Sequence, residues 1–228
     1  MPLTADQGLY LFHVFWILVP TLSYLLGSIP FGKMLAHWVA EIDITRRGSG
    51  NIGAANVARE IGVKWGILTL FLDGLKGFFP CLLTALLFPQ SELFQTVAGL
   101  SALLGHQYSI YLRFRGGKGF ATALGVYLSL SPVACLIALL AFVVTVCRWR
   151  FVSVGSMVSA CIVPLVLVGF GKPGVLIMTT LIMAILIVIN HRDNLHRLAK
   201  GQERKWGKRA VRREDPEDVP APHRNKTR

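Results

Sequence analysis

Charged residues are scarce in this chain, and acidic residues are scarcer than basic ones. Only 16% of its 228 residues are charged and 53% are hydrophobic, whereas soluble domains carry about 25% charged residues. Twelve Asp and Glu residues stand against 24 Lys and Arg residues, which gives a formal net charge of +12. The shortage of charge, together with repeated apolar runs of membrane-spanning length, excludes a soluble domain and predicts an all-α, polytopic integral membrane protein.

Basic residues near the start and paired cysteines are also missing. No Lys or Arg precedes Lys33, which follows the first apolar run, so we expect no cleaved signal peptide. The four cysteines form no CxxC pair, which argues against a redox or metal motif. We expect all four to be small buried residues in helix packing; they are Cys81, Cys135, Cys147 and Cys161.

The HxxxxD motif of membrane glycerolipid acyltransferases, in which a carboxylate orients a histidine base, is absent as well. The residues five positions after His191 and His106 are His196 and Tyr111. The carboxylates form no cluster suited to Mg²⁺, so we expect neither a metal nor a cofactor.

The apolar segments define the topology through the charges that separate them. They run over about 8–36, 63–88, 93–112, 119–149, 152–170 and 173–190. Taken as six spans, they put the basic cluster at 148–150 opposite the cluster at 113–118, against the positive-inside rule. Because proline breaks or kinks a helix, we divide the fourth segment at Ser131-Pro132, although its first part is short for about 30 Å of hydrocarbon.

Seven spans then place every basic cluster on one side, with the N-terminus outside and the C-terminus in the cytoplasm. We expect residues 1–207 to form a membrane-embedded domain and residues 208–228 a basic, disordered cytoplasmic tail. Twelve of the 24 Lys and Arg residues follow His191. A basic tail binds nucleic acid or anionic lipid, and beside a membrane span we expect membrane lipid and no nucleic acid.

Two glycine-rich stretches interrupt the apolar pattern on the basic side. The first loop, residues 48–56, precedes Arg59, and the second loop, residues 113–119, contains Lys118. Glycines let backbone N–H groups approach an anion, and Arg and Lys side chains neutralise it. The loops therefore predict a phosphate site at the membrane surface, with helix-breaking turns and ordinary positive-inside charge as the structural alternatives. The candidate binding residues are Gly48, Gly50, Asn51, Gly53, Asn56, Gly116, Gly117 and Gly119.

The side chains in these loops limit the chemistry. Ser49 has no His–Asp pair near it in sequence, so we interpret it as a hydrogen-bond donor to a phosphate or carbonyl oxygen and not as a nucleophile. The second loop lacks the GxxxxGKS/T pattern of a nucleotide P-loop, because Gly119 follows Lys118 where the pattern needs Ser or Thr. Lys118 still offers a point-charge phosphate contact.

Two further polar pairs have helical spacing. His191 and Asn194 share one face at the cytoplasmic end of the last span if that end is helical, although an interfacial histidine without a role is the alternative. Asp73 and Lys76 lie inside the second span, where ionisable groups are costly. We expect them to form a structural ion pair that faces the bundle interior and supports the loops, with direct catalysis as the alternative.

These motifs, in this order, resemble the bacterial acyl-phosphate:glycerol-3-phosphate acyltransferases (the PlsY type). The resemblance covers about residues 22–207. Ala55 and Gln202 replace threonines that are usual in the family, and neither change removes a charge. The stretches that carry it are Gly27 to Gly32, Gly48 to Arg59, Asp73 with Lys76-Gly77, Gly105-His106, Phe114 to Gly125, and His191 to Asn194 with Gly201 and Glu203.

The resemblance implies a seven-span inner-membrane enzyme whose active site faces the cytoplasm. Such an enzyme transfers a fatty acyl group from acyl phosphate, not acyl-CoA, to the 1-hydroxyl of glycerol 3-phosphate. The products are lysophosphatidic acid and phosphate, in the first acylation step of phospholipid synthesis. The implied partner protein is the enzyme that makes acyl phosphate (the PlsX type). The implied site residues are Ser49, Arg59, Lys118, His191 and Asn194, with Glu203 in the third short motif.

Alternatives remain at two levels. A transporter for a phosphorylated metabolite would bind an anion between broken helices, and a purely structural membrane protein is a third interpretation. Within the enzyme hypothesis, the proton acceptor is either His191 or a phosphate oxygen of the substrate. We favour the phosphate, because no carboxylate near His191 obviously orients its ring.

Overall fold

The structure is a computed structural model that describes residues 5–207, so the tail predicted at 208–228 lies outside the described residues. Between residues 5 and 207 the chain forms ten α-helices and two short 3₁₀ helices and no strand, which confirms the all-α prediction for this part. The α-helices are α1 (Ala5–Ser28), α2 (Phe31–Ala40), α3 (Ala54–Glu60), α4 (Val63–Leu87), α5 (Glu92–Gln107), α6 (Phe120–Leu130), α7 (Pro132–Trp149), α8 (Val152–Gly169), α9 (Gly174–Asn190) and α10 (Arg192–Ala199). The 3₁₀ helices are Ile44–Arg46 and Ile110–Leu112.

Several helical segments have the length and composition of membrane spans. Four segments are both long enough and apolar enough to cross a membrane, namely His13–Ala40, Val63–Leu87, Pro132–Trp149 and Val152–Gly169. The bent pair of α9 and α10 makes a fifth if it is one span. The remaining candidates are shorter: α5 has 16 residues and α6 has 11. At 1.5 Å per residue these two reach about 24 Å and about 17 Å, against about 30 Å of hydrocarbon.

The helix breaks follow the local sequence. The predicted break at Ser131-Pro132 is confirmed, since α6 ends at Leu130 and α7 begins at Pro132. Proline suits the first position of a helix, where no N–H donor is needed. The end of the last apolar helix differs from the single helix considered above, because the chain bends by 54° between α9 and α10, at His191.

Small residues bring neighbouring helices close together. A Cβ atom on Gly27 of α1 would collide with the carbonyl oxygen of Ala102 in α5, and one on Gly77 of α4 with that of Thr122 in α6. Glycine at such contacts permits the close backbone approach that membrane helices use for packing. Further pairs, α7 with α8 and α8 with α9, complete the bundle. Its buried core includes Leu103, Tyr127, Leu167, Met183 and Ile187.

The ion pair predicted inside the second span is confirmed. Asp73 Oδ1 lies 3.0 Å from Lys76 Nζ, and their side chains are only 3% and 1% exposed. Lys76 also donates to the carbonyl of Ile29 at 2.8 Å. Ile29 stands between α1 and α2, so its carbonyl lies outside the helical ladders. The pair therefore joins α4 to the break in the first apolar segment.

The cysteine prediction is only partly right. Cys81 is buried and Cys135 is half-buried, but Cys147 and Cys161 are exposed on α7 and α8. The prediction of burial is wrong for these two. A thiol is a small, weakly polar group, and the exposed surface of these helices is apolar, with Leu140, Val144 and Leu165 among its residues.

Candidate active site

A cavity of about 430 Å³ opens where the two glycine loops meet the cytoplasmic ends predicted for α4, α7, α8 and α9. Side chains from four distant parts of the sequence line it together. The lining includes all five residues of the predicted catalytic set, namely Ser49, Arg59, Lys118, His191 and Asn194.

The first loop is folded around the side chain of Asn56, which is 2% exposed. Its Oδ1 accepts from the backbone N–H of Ser49 at 2.9 Å, and its Nδ2 donates to the carbonyls of Arg47 and Asn51 at 3.1 and 2.9 Å. Gly48 and Gly50 have φ angles of 60° and 71°, which favour glycine. The Asn56 amide is thus used by the loop itself and supports the position of Ser49.

The second loop is built on the last turn of α5. The N–H groups of Gly116 and Gly117 donate to the carbonyls of Gln107 and His106 at 3.0 and 2.9 Å. The side-chain amide of Gln107 donates to the carbonyl of Lys118 at 3.0 Å. These bonds direct Lys118 into the cavity.

A chain of hydrogen bonds links Lys118 to the segment after α10. The Lys118 ammonium donates to Asn194 Oδ1, and Asn194 Nδ2 donates to Glu203 Oε1 at 2.6 Å. Glu203 also accepts from Ser153 at 2.7 Å and from Arg197 at 2.8 Å. Glu203 therefore orients Asn194, which in turn holds Lys118.

These contacts and the burial of the site set its charges. Burial acts to raise the pKa of Glu203, but the hydrogen bonds from Ser153, Asn194 and Arg197 outweigh it and lower the pKa. Burial lowers the pKa of Lys118 to about 8, although Glu203 opposes this. Near pH 7 the site therefore presents an anionic Glu203 and a mostly cationic Lys118.

Arg59 stands on α3, immediately after the first loop, as predicted. Burial and then the nearby Arg204 guanidinium lower its pKa, although an arginine stays protonated in a protein at any ordinary pH. Arg204 donates from Nη2 to the carbonyl of Gly48 at 2.9 Å. Two guanidinium groups thus flank the first loop.

The ring of His191 is held in one tautomer by a main-chain contact. Its Nδ1 lies 2.8 Å from the carbonyl oxygen of Ile187. Because a carbonyl only accepts, Nδ1 carries the proton and Nε2 is left as an acceptor. Burial and then the nearby Lys118 lower the pKa of His191 to about 4, against the opposing effects of Ile187 and Glu203. His191, at the junction of α9 and α10, is therefore neutral near pH 7.

The other end of the cavity is apolar. Apolar side chains from three helices line this part of the cavity, which we call the groove. Phe120 and Phe142 stack with ring centroids 4.9 Å apart at the boundary of α6 and α7. The groove residues include Val63, Ile67 and Leu70 of α4, Leu124 of α6, and Leu139, Phe142 and Val146 of α7.

The candidate binding residues fall into two groups. Those that line the cavity are Asn51, Gly53, Asn56, Asp73, Gly119 and Glu203. Outside the lining, as far as residues 5–207 define it, lie Gly48, Gly50, Gly116, Gly117 and Lys76. These four glycines shape the backbone of the loops, and the cavity is formed by their neighbours.

Three lining residues that hydrogen-bond to predicted site residues were not predicted from the sequence, namely Ser153, Arg197 and Arg204. The two arginines belong to the basic C-terminal run that we assigned to lipid. The signal that was available for Arg197 is its helical spacing of three from Asn194. Ser153 carries no such signal, since it becomes a site residue only through its contact with Glu203.

The fold and the site together define a class of protein. A bundle of membrane-length apolar helices holds a cationic, glycine-bounded pocket that continues into an apolar groove. Such a site suits ligands that carry both an anionic group and a hydrocarbon chain. The glycerol-3-phosphate acyltransferase family model matches residues 17–201. The chain belongs to this family.

Relatives of known name agree with this assignment. A glycerol-3-phosphate acyltransferase of Geotalea daltonii is 48% identical over 79% of this chain and 92% of its own length. A glycerol-3-phosphate acyltransferase of Desulfotalea psychrophila is 46% identical over 83% of this chain and 98% of its own length. The resemblance to the PlsY type is thereby confirmed.

Two crystal structures of PlsY, an integral membrane glycerol 3-phosphate acyltransferase, share the fold. Its glycerol 3-phosphate form superposes with a TM-score of 0.81 at 38% identity, over 84% of this chain and 95% of that one. Its lysophosphatidic acid form gives a TM-score of 0.79 at the same identity and coverage. The chain is accordingly an integral membrane protein with glycerol-3-phosphate acyltransferase function.

Proposed function

We propose that the protein transfers a fatty acyl group from acyl phosphate to the 1-hydroxyl of glycerol 3-phosphate. The products are lysophosphatidic acid and inorganic phosphate, and the reaction is the first acylation step of phospholipid synthesis. The observation that carries this proposal is the single cavity in which cationic loops meet an apolar groove. The relative that was crystallised in glycerol 3-phosphate and lysophosphatidic acid forms supports it.

The polar end suits two phosphate groups. Four cationic residues line it, namely Arg59, Lys118, Arg197 and Arg204. The carboxylate of Glu203 also lies there and accepts a hydrogen bond from Arg197. Charge-assisted hydrogen bonds from such cations to phosphate are about twice as strong as neutral ones. The groove at the other end offers hydrocarbon contacts to the acyl chain of the donor.

The chemical step needs no covalent enzyme intermediate. The glycerol 3-phosphate hydroxyl oxygen attacks the carbonyl carbon of the acyl phosphate, a new ester C–O bond forms, and the carbonyl C–O bond to phosphate breaks. Lys118 and Arg59 stabilise the charge on the departing phosphate, and Ser49 donates a hydrogen bond. The hydroxyl proton passes to a phosphate oxygen of a substrate. His191 accepts a hydrogen bond through Nε2 and orients the hydroxyl.

Purified protein should release phosphate only when acyl phosphate and glycerol 3-phosphate are both present. Acyl-CoA should not replace acyl phosphate, and a chelator should leave the rate unchanged. Phosphate release and lysophosphatidic acid are measured by colorimetry and mass spectrometry. Uptake of glycerol 3-phosphate into proteoliposomes without turnover would instead indicate a transporter, and equal rates with acyl-CoA would contradict the proposed donor.

We also propose that seven segments cross the inner membrane, with the N-terminus outside and the loops, α10 and residues 208–228 in the cytoplasm. In this arrangement residues 1–207 form the membrane-embedded domain, the site faces the cytoplasm, and the PlsX-type enzyme that makes acyl phosphate is a partner there. The distribution of basic residues supports this proposal.

Single cysteines, introduced into a variant without the four native ones, test this topology. Positions 132 and 171, which are both exposed, should react with an impermeant maleimide in intact cells of the producing bacterium. Positions 47, 115, 148 and 200 should react only after the membrane is permeabilised, because basic segments stay on the cytoplasmic side. Labelling of position 148 in intact cells would restore a six-span arrangement.

A further inference from the structure

The second loop is hydrogen-bonded to the last turn of α5. We propose that His106 and Gln107 are positioning residues, which fix the backbone of this loop and thereby the place of the Lys118 ammonium. The inference rests on the proposed function, because Lys118 acts there on the departing phosphate.

The main chain supplies the first part of this support. A helix leaves its last carbonyl groups without helical partners. In α5, the carbonyls of His106 and Gln107 accept from the N–H groups of Gly117 and Gly116 at 2.9 and 3.0 Å. The loop is thus hydrogen-bonded directly to the end of the helix. The position of the loop backbone therefore depends on where α5 ends.

The side chain of Gln107 supplies the second part. Gln107 is 2% exposed, and its amide donates to the carbonyl of Lys118 at 3.0 Å. It therefore fixes the main chain of the residue whose ammonium reaches Asn194. A change of this amide would move the ammonium without touching any of the charged groups in the cavity.

The ring of His106 supplies the third part. A Cβ atom built on Gly117 would overlap with this ring, and its three nearest neighbours are all His106 ring atoms. On the other side of the ring, Nδ1 lies 3.8 Å from Asp73 Oδ1. The ring is wedged between the buried ion pair and the loop. His106 also lines the cavity, but its Nε2 faces Gly117 and its Nδ1 faces Asp73, and we therefore assign it to positioning the loop.

The first experiment replaces Gln107 by methionine, which keeps the length of the side chain and removes the amide donor. Gln107→Met should lower kcat about tenfold and change KM less than threefold. A readout independent of turnover is the pH dependence of acetic anhydride labelling at Lys118, followed by mass spectrometry. Burial holds the pKa of Lys118 at about 8, so a displaced and more solvated ammonium should label with a higher apparent pKa.

Gln95→Met is the matched control, since Gln95 lies on the same helix three turns away and outside the cavity lining of the described chain. It should leave kcat and Lys118 labelling unchanged. Wild-type kcat and labelling for Gln107→Met would overturn the role of Gln107. If the wild type consumes neither substrate, the proposed function fails, while the labelling experiment still tests the positioning.

The second experiment uses the contact between Gly117 and the His106 ring. Gly117→Ala should lower kcat at least tenfold, because the new methyl group collides with the ring. Adding His106→Ala to that variant removes the ring and should restore the rate at least threefold. Combining His106→Ala with Gly48→Ala, in the first loop, should give no rescue. A double variant at 106 and 117 that is no better than Gly117→Ala alone would overturn the wedge.

Discussion

Replacing Lys118 by alanine should lower kcat/KM at least a hundredfold, which corresponds to about 2.7 kcal/mol of transition-state stabilisation. The ammonium donates to Asn194 inside the cavity, and Gln107 holds the main-chain carbonyl of the same lysine. A preorganised charge at such a site acts more strongly than in water. Lys64→Ala is the matched control, because Lys64 is an exposed cation at the start of α4, outside the cavity lining among residues 5–207. A Lys118→Ala rate within threefold of wild type would remove this loop from the mechanism.

The pH profile offers a second check on the same residue. Because burial lowers the pKa of Lys118 to about 8, the ammonium is present below that pH and is lost as the pH rises through it. The kcat/KM of the wild type should therefore fall above about pH 8. In Lys118→Arg, whose guanidinium keeps its charge, this fall should move upward by at least one pH unit. A basic limb at the same pH in Lys118→Arg would assign it to another group.

The sequence predicts the loops better than it predicts the use of each polar side chain within them. All five residues of the predicted catalytic set line one cavity. Glycine density and charge mark Ser49, Arg59 and Lys118, whereas helical spacing and the family resemblance mark His191 and Asn194. Asn56 shows the limit of this reasoning. It has the same chemistry as Asn51, yet its amide is consumed by contacts to Ser49, Arg47 and Asn51 that depend on the fold of the turn.

Helix ends show a similar limit. The apolar run at 93–112 predicts one span to its last residue, but α5 ends at Gln107 and a 3₁₀ helix follows at Ile110–Leu112. The hydroxyl of Ser109 donates to the carbonyl of Ser28, at the end of α1, at 2.6 Å. The apolar composition of this run indicates that it lies in an apolar environment. It does not reveal the long-range hydrogen bond from Ser109 to Ser28, which holds the turn before the second loop.

The orientation of the His191 ring was likewise not predicted from the sequence. A continuous helix would place its ring by helical spacing alone, but the ring here is fixed by the carbonyl of Ile187 one turn earlier. That carbonyl takes the place of the orienting carboxylate that is absent from the sequence. The structure therefore supplies an orienting partner for His191 and, through burial, a pKa of about 4.

His191→Ala should raise KM for glycerol 3-phosphate at least tenfold and lower kcat less than tenfold. A phosphate monoester has a second pKa of about 6, which makes it a stronger base than a histidine whose pKa burial lowers to about 4. The substrate phosphate is therefore the better proton acceptor, and His191 contributes the hydrogen bond at Nε2. His196→Ala, at an exposed position of α10, is the matched control and should behave as wild type.

The acidic limb of the kcat profile separates the two proton acceptors. With a phosphate acceptor, kcat should fall below about pH 6 in the wild type and in His191→Ala alike, because the titrating group belongs to the substrate. With His191 as the base, the loss in kcat should instead reach about 10²–10⁴-fold, and the limb near pH 4 should vanish with the ring. Asn194→Ala should be damaging in both cases, since it releases Lys118 from Glu203. A large kcat loss in His191→Ala together with a flat acidic limb would make His191 the base, with the Ile187 carbonyl in the role of the missing carboxylate.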